Sequence, residues 1–115
     1  MLTAIILGAF ASHTLKNYLS SEQIYSFQTA IKYQMFHAIS LLILTLNKRM
    51  FNTKLKSSLI LMILGVILFC FSIYFLNIQN ILQINLNFLG SFTPIGGMLL
   101  LLAWCNLFFA IKKND

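Results

Sequence analysis

From Ser57 to Leu76 the chain carries no charged side chain, and a helix over that stretch rises about 30 Å, the thickness of a bilayer's hydrocarbon core. Gly65 and Ser72 lie close to one side of it, a strip of small residues on which another helix can pack. A second apolar run opens at Ser91-Phe92-Thr93-Pro94 and continues to Ile111. Thr93 is suited to cap it, and Pro94 to occupy its first position, where a missing N–H leaves no bond unmade. With 59% hydrophobic and 9% charged residues over 115 positions, and a mean hydropathy of +0.85, the chain has more apolar side chain than a soluble domain of this size can bury. The expected fold class is an all-α membrane protein.

The other two spans are less regular. Met1 to Phe10 is apolar and Ala11-Ser12-His13 closes it, but a helix over residues 1–13 rises only about 20 Å. It has no basic leading region and no Ala-x-Ala site where a cleavage site would be needed, so it does not read as a signal peptide. Ala4, Gly8 and Ser12 recur every four residues and form a helix-packing face. This is a first transmembrane helix, either unusually short or continued upstream of Met1. Ser20-Ser21-Glu22-Gln23 has the spacing of a capping box and should start a helix. Along that helix Ile24, Phe27, Ile31, Met35 and Ala38 form one face, and Glu22, Ser26, Thr29, Tyr33, His37 and Ser40 the opposite one. Its beginning should lie at the membrane surface, entering the bilayer near Ala30 and leaving near Leu46. Four transmembrane helices result, at approximately 1–13, 30–46, 57–76 and 94–111, the second preceded by an amphipathic interfacial segment. One proline and no linker-like run indicate a single transmembrane domain. Between Asn77 and Asn87 six carboxamides alternate with Ile and Leu, a pattern equally suited to an interfacial turn of helix and to an extended connection.

The formal charge of +6 comes from eight Lys and Arg against Glu22 and Asp115. In a soluble chain that balance would suggest nucleic acid, but placement excludes it. Lys48, Arg49, Lys54 and Lys56 form one group beside an apolar run and Lys112 and Lys113 another, the signature of cytoplasmic loops. Both termini are then cytoplasmic, and the connections at 14–29 and 77–92 face outside. The absence of a targeting segment favours a bacterial inner membrane. Cys70 and Cys105 lie within apolar runs and read as buried free thiols, with neither a disulfide nor a metal site indicated.

Polar groups within a span avoid lipid and face the bundle or a hydrated cavity. Tyr33 and His37 are one turn apart on one side of the second helix, Ser40 continues the line, and Gln34 is displaced by about 100°. For His37 the plain reading is a neutral imidazole bonded to a neighbouring helix; proton transfer or ligand contact is the alternative, because a histidine titrates near neutrality. His13, at the outer end of the first helix, is a possible neighbour, yet two histidines without a carboxylate or thiol make no metal site. Glu22 sits in a first helical turn, where the helix dipole favours a negative charge. An enzyme of paired carboxylates is excluded by count, and no Ser-His-Asp set, phosphate loop or CxxC occurs. No cofactor and no catalytic residue is indicated, and Trp104 with the Phe-rich spans reads as packing or lipid-facing surface.

Gly8-Ala9-Phe10-Ala11-Ser12-His13, Phe27-Gln28-Thr29-Ala30, Tyr33-Gln34-Met35-Phe36-His37-Ala38, Ser72-Ile73-Tyr74, Thr93-Pro94-Ile95-Gly96-Gly97 and Trp104 occur in this order along nearly the whole chain. In order and spacing they resemble the family called domain of unknown function 423, which includes YgdD-like bacterial inner-membrane proteins and transmembrane protein 256 of animals. The resemblance implies a four-helix membrane protein without an assigned reaction. It adds weight to His13, Gln28, Tyr33, Gln34, His37, Tyr74 and Thr93 as a candidate polar pocket, and to Pro94, Gly96 and Gly97 as motif positions. Ala4, Gly8, Ser12, Gly96 and Gly97 are the candidate helix-packing positions. Two departures stand out: Ala11-Ser12 replaces the family's Gly-Ala before His13, and bulky Phe69-Cys70-Phe71 precedes Tyr74 where the family has small residues. The family's first helix is also longer.

Two functional expectations follow. The first is a structural or accessory subunit of a membrane assembly, packing through small-residue faces as a homo-oligomer or with other membrane subunits. The second is a small carrier or ligand- or lipid-binding protein whose polar pocket opens outward.

Overall fold

The computed structural model describes residues 1–111; the Lys112-Lys113 group and Asp115 lie outside them. The described chain is helical, with one isolated antiparallel bridge between Phe51 and Ile111. Helix α1 is Leu2–His13, α2 is Ser21–Leu46, α3 is Lys54–Leu82 and α4 is Phe92–Phe108. Short 3₁₀ turns occupy Leu15–Asn17, Lys48–Met50 and Asn87–Ser91. Three of these helices are long and apolar enough to cross a membrane: α2, α3, and α4 together with its 3₁₀ lead-in. At 12 residues α1 rises about 18 Å and is not among them.

Local chemistry sets several boundaries. The capping box forms as its spacing predicts: the Gln23 N–H donates to Ser20 Oγ at 3.2 Å and the Ser20 N–H to Gln23 Oε1 at 2.9 Å. α3 does not stop near Leu76 but continues through Asn77, Gln79 and Asn80. The Asn77 carboxamide is satisfied inside the bundle, donating to Ile73 O at 2.8 Å and to Ser26 Oγ at 3.3 Å. The helix closes at Gln83, whose φ of 54° lies in the left-handed region usually left to glycine. Thr93 does not cap α4. The helix begins at Phe92, two residues before the expected first position, so that Pro94 is its third residue, and the Thr93 hydroxyl is held 2.7 Å from Ser72 Oγ instead. α4 ends at Phe108 rather than Ile111, because Phe51 and Asn52 pair with the chain beyond it: the Asn52 N–H donates to Ala110 O at 2.8 Å.

α2 and α3 are shared by two buried clusters. Ala4 and Ala11 of α1, Phe27, Ala30 and Ile31 of α2, and Cys70 and Tyr74 of α3 form one; Leu44 of α2, Leu55 and Met62 of α3, and Leu100, Ala103 and Leu107 of α4 form the other. On α1 the packing face is Ala4, Leu7 and Ala11 rather than Ala4, Gly8 and Ser12. A Cβ on Gly8 would meet nothing within 4 Å, and Ser12 is exposed, donating to its own helix at Gly8 O. Leu15 and Leu19 extend the Ala4–Ala11 line into the same cluster, so the larger burial decides the rotation of the helix.

The closest packing joins α3 to α4. Between Ile67 and Phe71 the α3 backbone widens into a π segment, and a Cβ built on Gly96 would lie 2.8 Å from Phe69 Cα and 2.9 Å from the Leu68 carbonyl carbon. Only a residue without a side chain permits that approach. Gly65 repeats the contact one level away, against Leu100. The Ser72 hydroxyl donates to Phe69 O at 2.9 Å, at the end of the π segment, which leaves the Thr93 hydroxyl as donor in their shared bond. Gly97, by contrast, faces Phe69 ring atoms at 3.8 Å, an ordinary contact. Gly96→Ala is therefore expected to lower stability by about 1–3 kcal/mol, through overpacking against backbone, while Gly97→Ala stays near wild type. Thermal unfolding of the two variants in detergent measures the difference.

Candidate functional site

The polar residues that share one helix or one motif in the sequence are parted by the fold into separate groups. On the α1 side of α2, Gln34 is buried; its Nε2 donates to Thr3 Oγ1 at 2.6 Å and its Oε1 accepts the Tyr74 hydroxyl at 2.7 Å. One carboxamide thus ties three helices, in a place where an unmet donor would have no water to turn to. Ser72 and Thr93 join α3 to α4 near the π segment. On the α4 side of α2, His37 is 8% exposed and bonded at both ring nitrogens. Its Nδ1 lies 2.7 Å from Tyr33 O and its Nε2 lies 3.2 Å from Trp104 Nε1. A carbonyl only accepts and an indole N–H only donates, so the two bonds assign the proton to Nδ1 and the lone pair to Nε2. His37 is the neutral imidazole bonded to a neighbouring helix that the plainer reading expected.

His13 and Gln28 are exposed and make none of these bonds. The expected single pocket of His13, Tyr33, His37, Tyr74 and Thr93 is therefore not assembled. The physical reason is azimuthal: Gln34 sits about 100° from Tyr33 around α2, and the buried stripe of α2, Phe27, Ala30, Gln34, His37 and Leu44, runs between the two faces that the periodicity outlined. Tyr33 falls at its margin, 43% exposed.

What the structure does assemble is a groove between α2 and α4. Tyr33 and His37 of α2, Phe69 of the π segment, and Pro94, Gly97, Met98, Leu101 and Trp104 of α4 line a cleft of about 440 Å³. Across the His37–Trp104 bond a neighbouring hollow of about 350 Å³ continues past Phe36 and Ser40. The Tyr33 ring lies against Phe69, centroids 4.8 Å apart, and the Trp104 ring meets His37 edge-on at 6.0 Å. Walls are apolar and the floor carries two polar side chains, the usual make-up of a small-molecule site.

Trp104, which the sequence alone assigned to packing or lipid, is thus the partner of His37. Asn106 was missed altogether: its carboxamide reaches Ser57 Oγ at 2.7 Å and Ser58 Oγ at 3.0 Å, pinning the foot of α4 to that of α3. The signal was available, since an asparagine inside an apolar span needs a partner. Cys70 is a buried free thiol near Ala30 O, as expected, whereas Cys105 is exposed. Among the described residues no group of three His, Cys, Asp or Glu side chains could hold a metal ion, and no buried side-chain N or O lacks a partner.

An all-helical chain with three apolar helices of membrane-crossing length, joined by polar pairs hidden between them, is a small helical membrane protein. Its residues 7–97 match the protein family of unknown function DUF423, and the chain belongs to that family. Among its relatives, a UPF0382 membrane protein of Staphylococcus epidermidis is 32% identical over 110 residues, covering 96% of this chain and 86% of that protein. One from Haemophilus influenzae is 33% identical over 96% of this chain and 85% of its own length. The UPF0382 membrane protein YwdK of Bacillus subtilis is 29% identical over 97% and 89%. No solved structure matches the chain.

Trp104 is the one tryptophan in the chain, so the indole fluorescence comes from the partner of His37 alone. In His37→Leu the indole N–H loses its acceptor, and the emission should move to shorter wavelength; an unchanged spectrum would show that the bond does not form in the membrane. Tyr74→Phe removes one of two partners of Gln34 and is expected to cost about 1 kcal/mol in thermal unfolding.

Proposed function

We propose that this protein is a non-enzymatic, multi-pass component of the bacterial inner membrane that binds an apolar or amphiphilic ligand from within the bilayer. One observation carries the proposal: the groove between α2 and α4 is bridged at a single level by the His37–Trp104 bond and is otherwise lined by apolar side chains. Binding suits these groups better than catalysis. Both His37 nitrogens are engaged, and the only carboxylate side chain among the described residues, Glu22, sits at the opposite end of α2 from the basic connection. In this reading α1 is the fourth span, short and packed against α2 and α3, and the first turns of α2 lie at the membrane surface, where Glu22, Tyr25 and Gln28 are exposed. Both termini and the Lys48–Lys56 connection face the cytoplasm, in keeping with the positive-inside rule.

A broad screen of lipophilic ligands should find saturable thermal stabilisation that a groove-filling Gly97→Leu abolishes; no response in the screen would remove the proposal. For orientation, Lys16→Cys should react with a membrane-impermeant maleimide in intact spheroplasts, and Lys54→Cys only after permeabilisation. The reverse pattern would invert the topology.

A second reading, an accessory subunit or homo-oligomer, is favoured by the bareness of α4: only 17% of its most apolar stretch is buried within this chain. Gentle detergent extraction should then recover stoichiometric membrane partners or a homo-oligomer, and His37→Ala should leave the association intact.

A further inference from the structure

We infer that the occupant of the α2–α4 groove is an anionic phospholipid, its headgroup on the basic connection between α2 and α3 and one acyl chain lying along the groove to the His37–Trp104 bond. The inference rests on the groove being a binding site, as proposed above, and adds the chemistry of what fills it.

Charge argues for the headgroup. Lys48, Arg49, Lys54 and Lys56 are all exposed within nine positions of one another, and the one described carboxylate, Glu22, lies at the far end of α2. The connection is held in place rather than loose: Asn52 donates from its N–H to Ala110 O at 2.8 Å and from Nδ2 to Phe109 O at 3.2 Å. Lys54 Nζ stands 5.8 Å from the centre of the Phe109 ring. The segment that carries four cations is thereby anchored beside the end of α2 and the end of α4, with Lys54 held against Phe109. Basic groups set beside membrane helices attract anionic headgroups, each cation adding to the binding.

Length argues for the acyl chain. One leaflet contributes about half of the hydrocarbon core, about 15 Å, which is about ten residues of helix. Ten residues up α2 from Asn47, just outside the basic group, is His37. The hollow beside Phe36, His37, Ser40 and Trp104 lies along that path, and the larger cleft at Met98 and Leu101 lies beyond it. A chain rooted on the basic connection therefore ends against the polar bridge that closes the groove. A wall of exposed Trp104 and Phe36 offers it aromatic and apolar surface with no unmet hydrogen-bonding group.

The test uses the lone tryptophan. The purified protein is placed in nanodiscs of unlabelled phosphatidylcholine containing increasing fractions of acyl-brominated phosphatidylglycerol or acyl-brominated phosphatidylcholine, and quenching of Trp104 is followed. Quenching should saturate at a mole fraction about tenfold lower for the phosphatidylglycerol. The preference should vanish when Lys48, Arg49, Lys54 and Lys56 are all changed to Gln, survive their change to Arg at the three lysines, and weaken as ionic strength rises. Saturable quenching that is equal for the two lipids would overturn the headgroup assignment and leave the groove as a binding site. Quenching that only rises in proportion to brominated lipid, for both headgroups, would overturn the groove reading with it.

Discussion

The backbone-to-backbone approach of Gly96 to Phe69 governs most of what lies on the α4 side of the molecule. Because Gly96 has no Cβ, α4 sits down on the π segment of α3 and not above it. That depth lets Thr93 reach Ser72, seats Leu100 against Gly65, and brings Trp104 within 3.2 Å of a histidine on a third helix. The groove is what remains between α2 and α4 once both are committed to α3: they are neighbours through α3, and touch directly at the His37–Trp104 bridge. Bulky Phe69-Cys70-Phe71 in the π segment therefore does not prevent close approach. The wider turn swings Phe69 aside toward Tyr33, where its ring forms a wall of the groove.

Lipid imposes the second rule. A polar side chain that leaves the membrane surface must find its partner within the protein, and each inward-facing one here does so: Gln34 with Thr3 and Tyr74, Ser72 with Thr93, Asn77 with Ser26, Asn106 with Ser57 and Ser58. These pairs are neutral, so they cost no charge desolvation, and each joins different helices. They divide the labour of holding the bundle with two apolar clusters to which both α2 and α3 contribute. A molecule of 57 × 27 × 17 Å is thin for its length, which is why so many large apolar side chains remain on its outside for lipid or for a partner to cover.

Element by element, the sequence was a good guide wherever a signal is local. The Ser20–Gln23 capping box formed bond for bond, the uncharged run from Ser57 became the heart of α3, and Gly65 and Ser72 pack where their spacing put them. Signals that depend on a neighbour misled. Thr93 looks like a cap until Ser72 is opposite it. Gly8 looks like a packing glycine until α1 turns its Ala4–Ala11 line inward. His13, Tyr33, His37 and Tyr74 look like one pocket because all are polar and all lie in one resemblance, yet Tyr74 goes to Gln34 on one side of α2 and Trp104 goes to His37 on the other.

The sequence by itself determined that the chain is helical, that it belongs in a membrane, where its long helices run, and that His37 is turned away from lipid, with the neutral form as the plainer of two readings. All of these follow from hydrophobicity, charge placement and spacing along one strand of backbone. Only the tertiary structure decided which polar residue answers which, because that depends on the rotation of each helix about its axis and on how closely two axes approach. A glycine at position 96 and a widened turn opposite it set both quantities for α4. Trp104 thereby became a partner of His37 and a wall of the groove, a role that its place in an apolar run could not disclose.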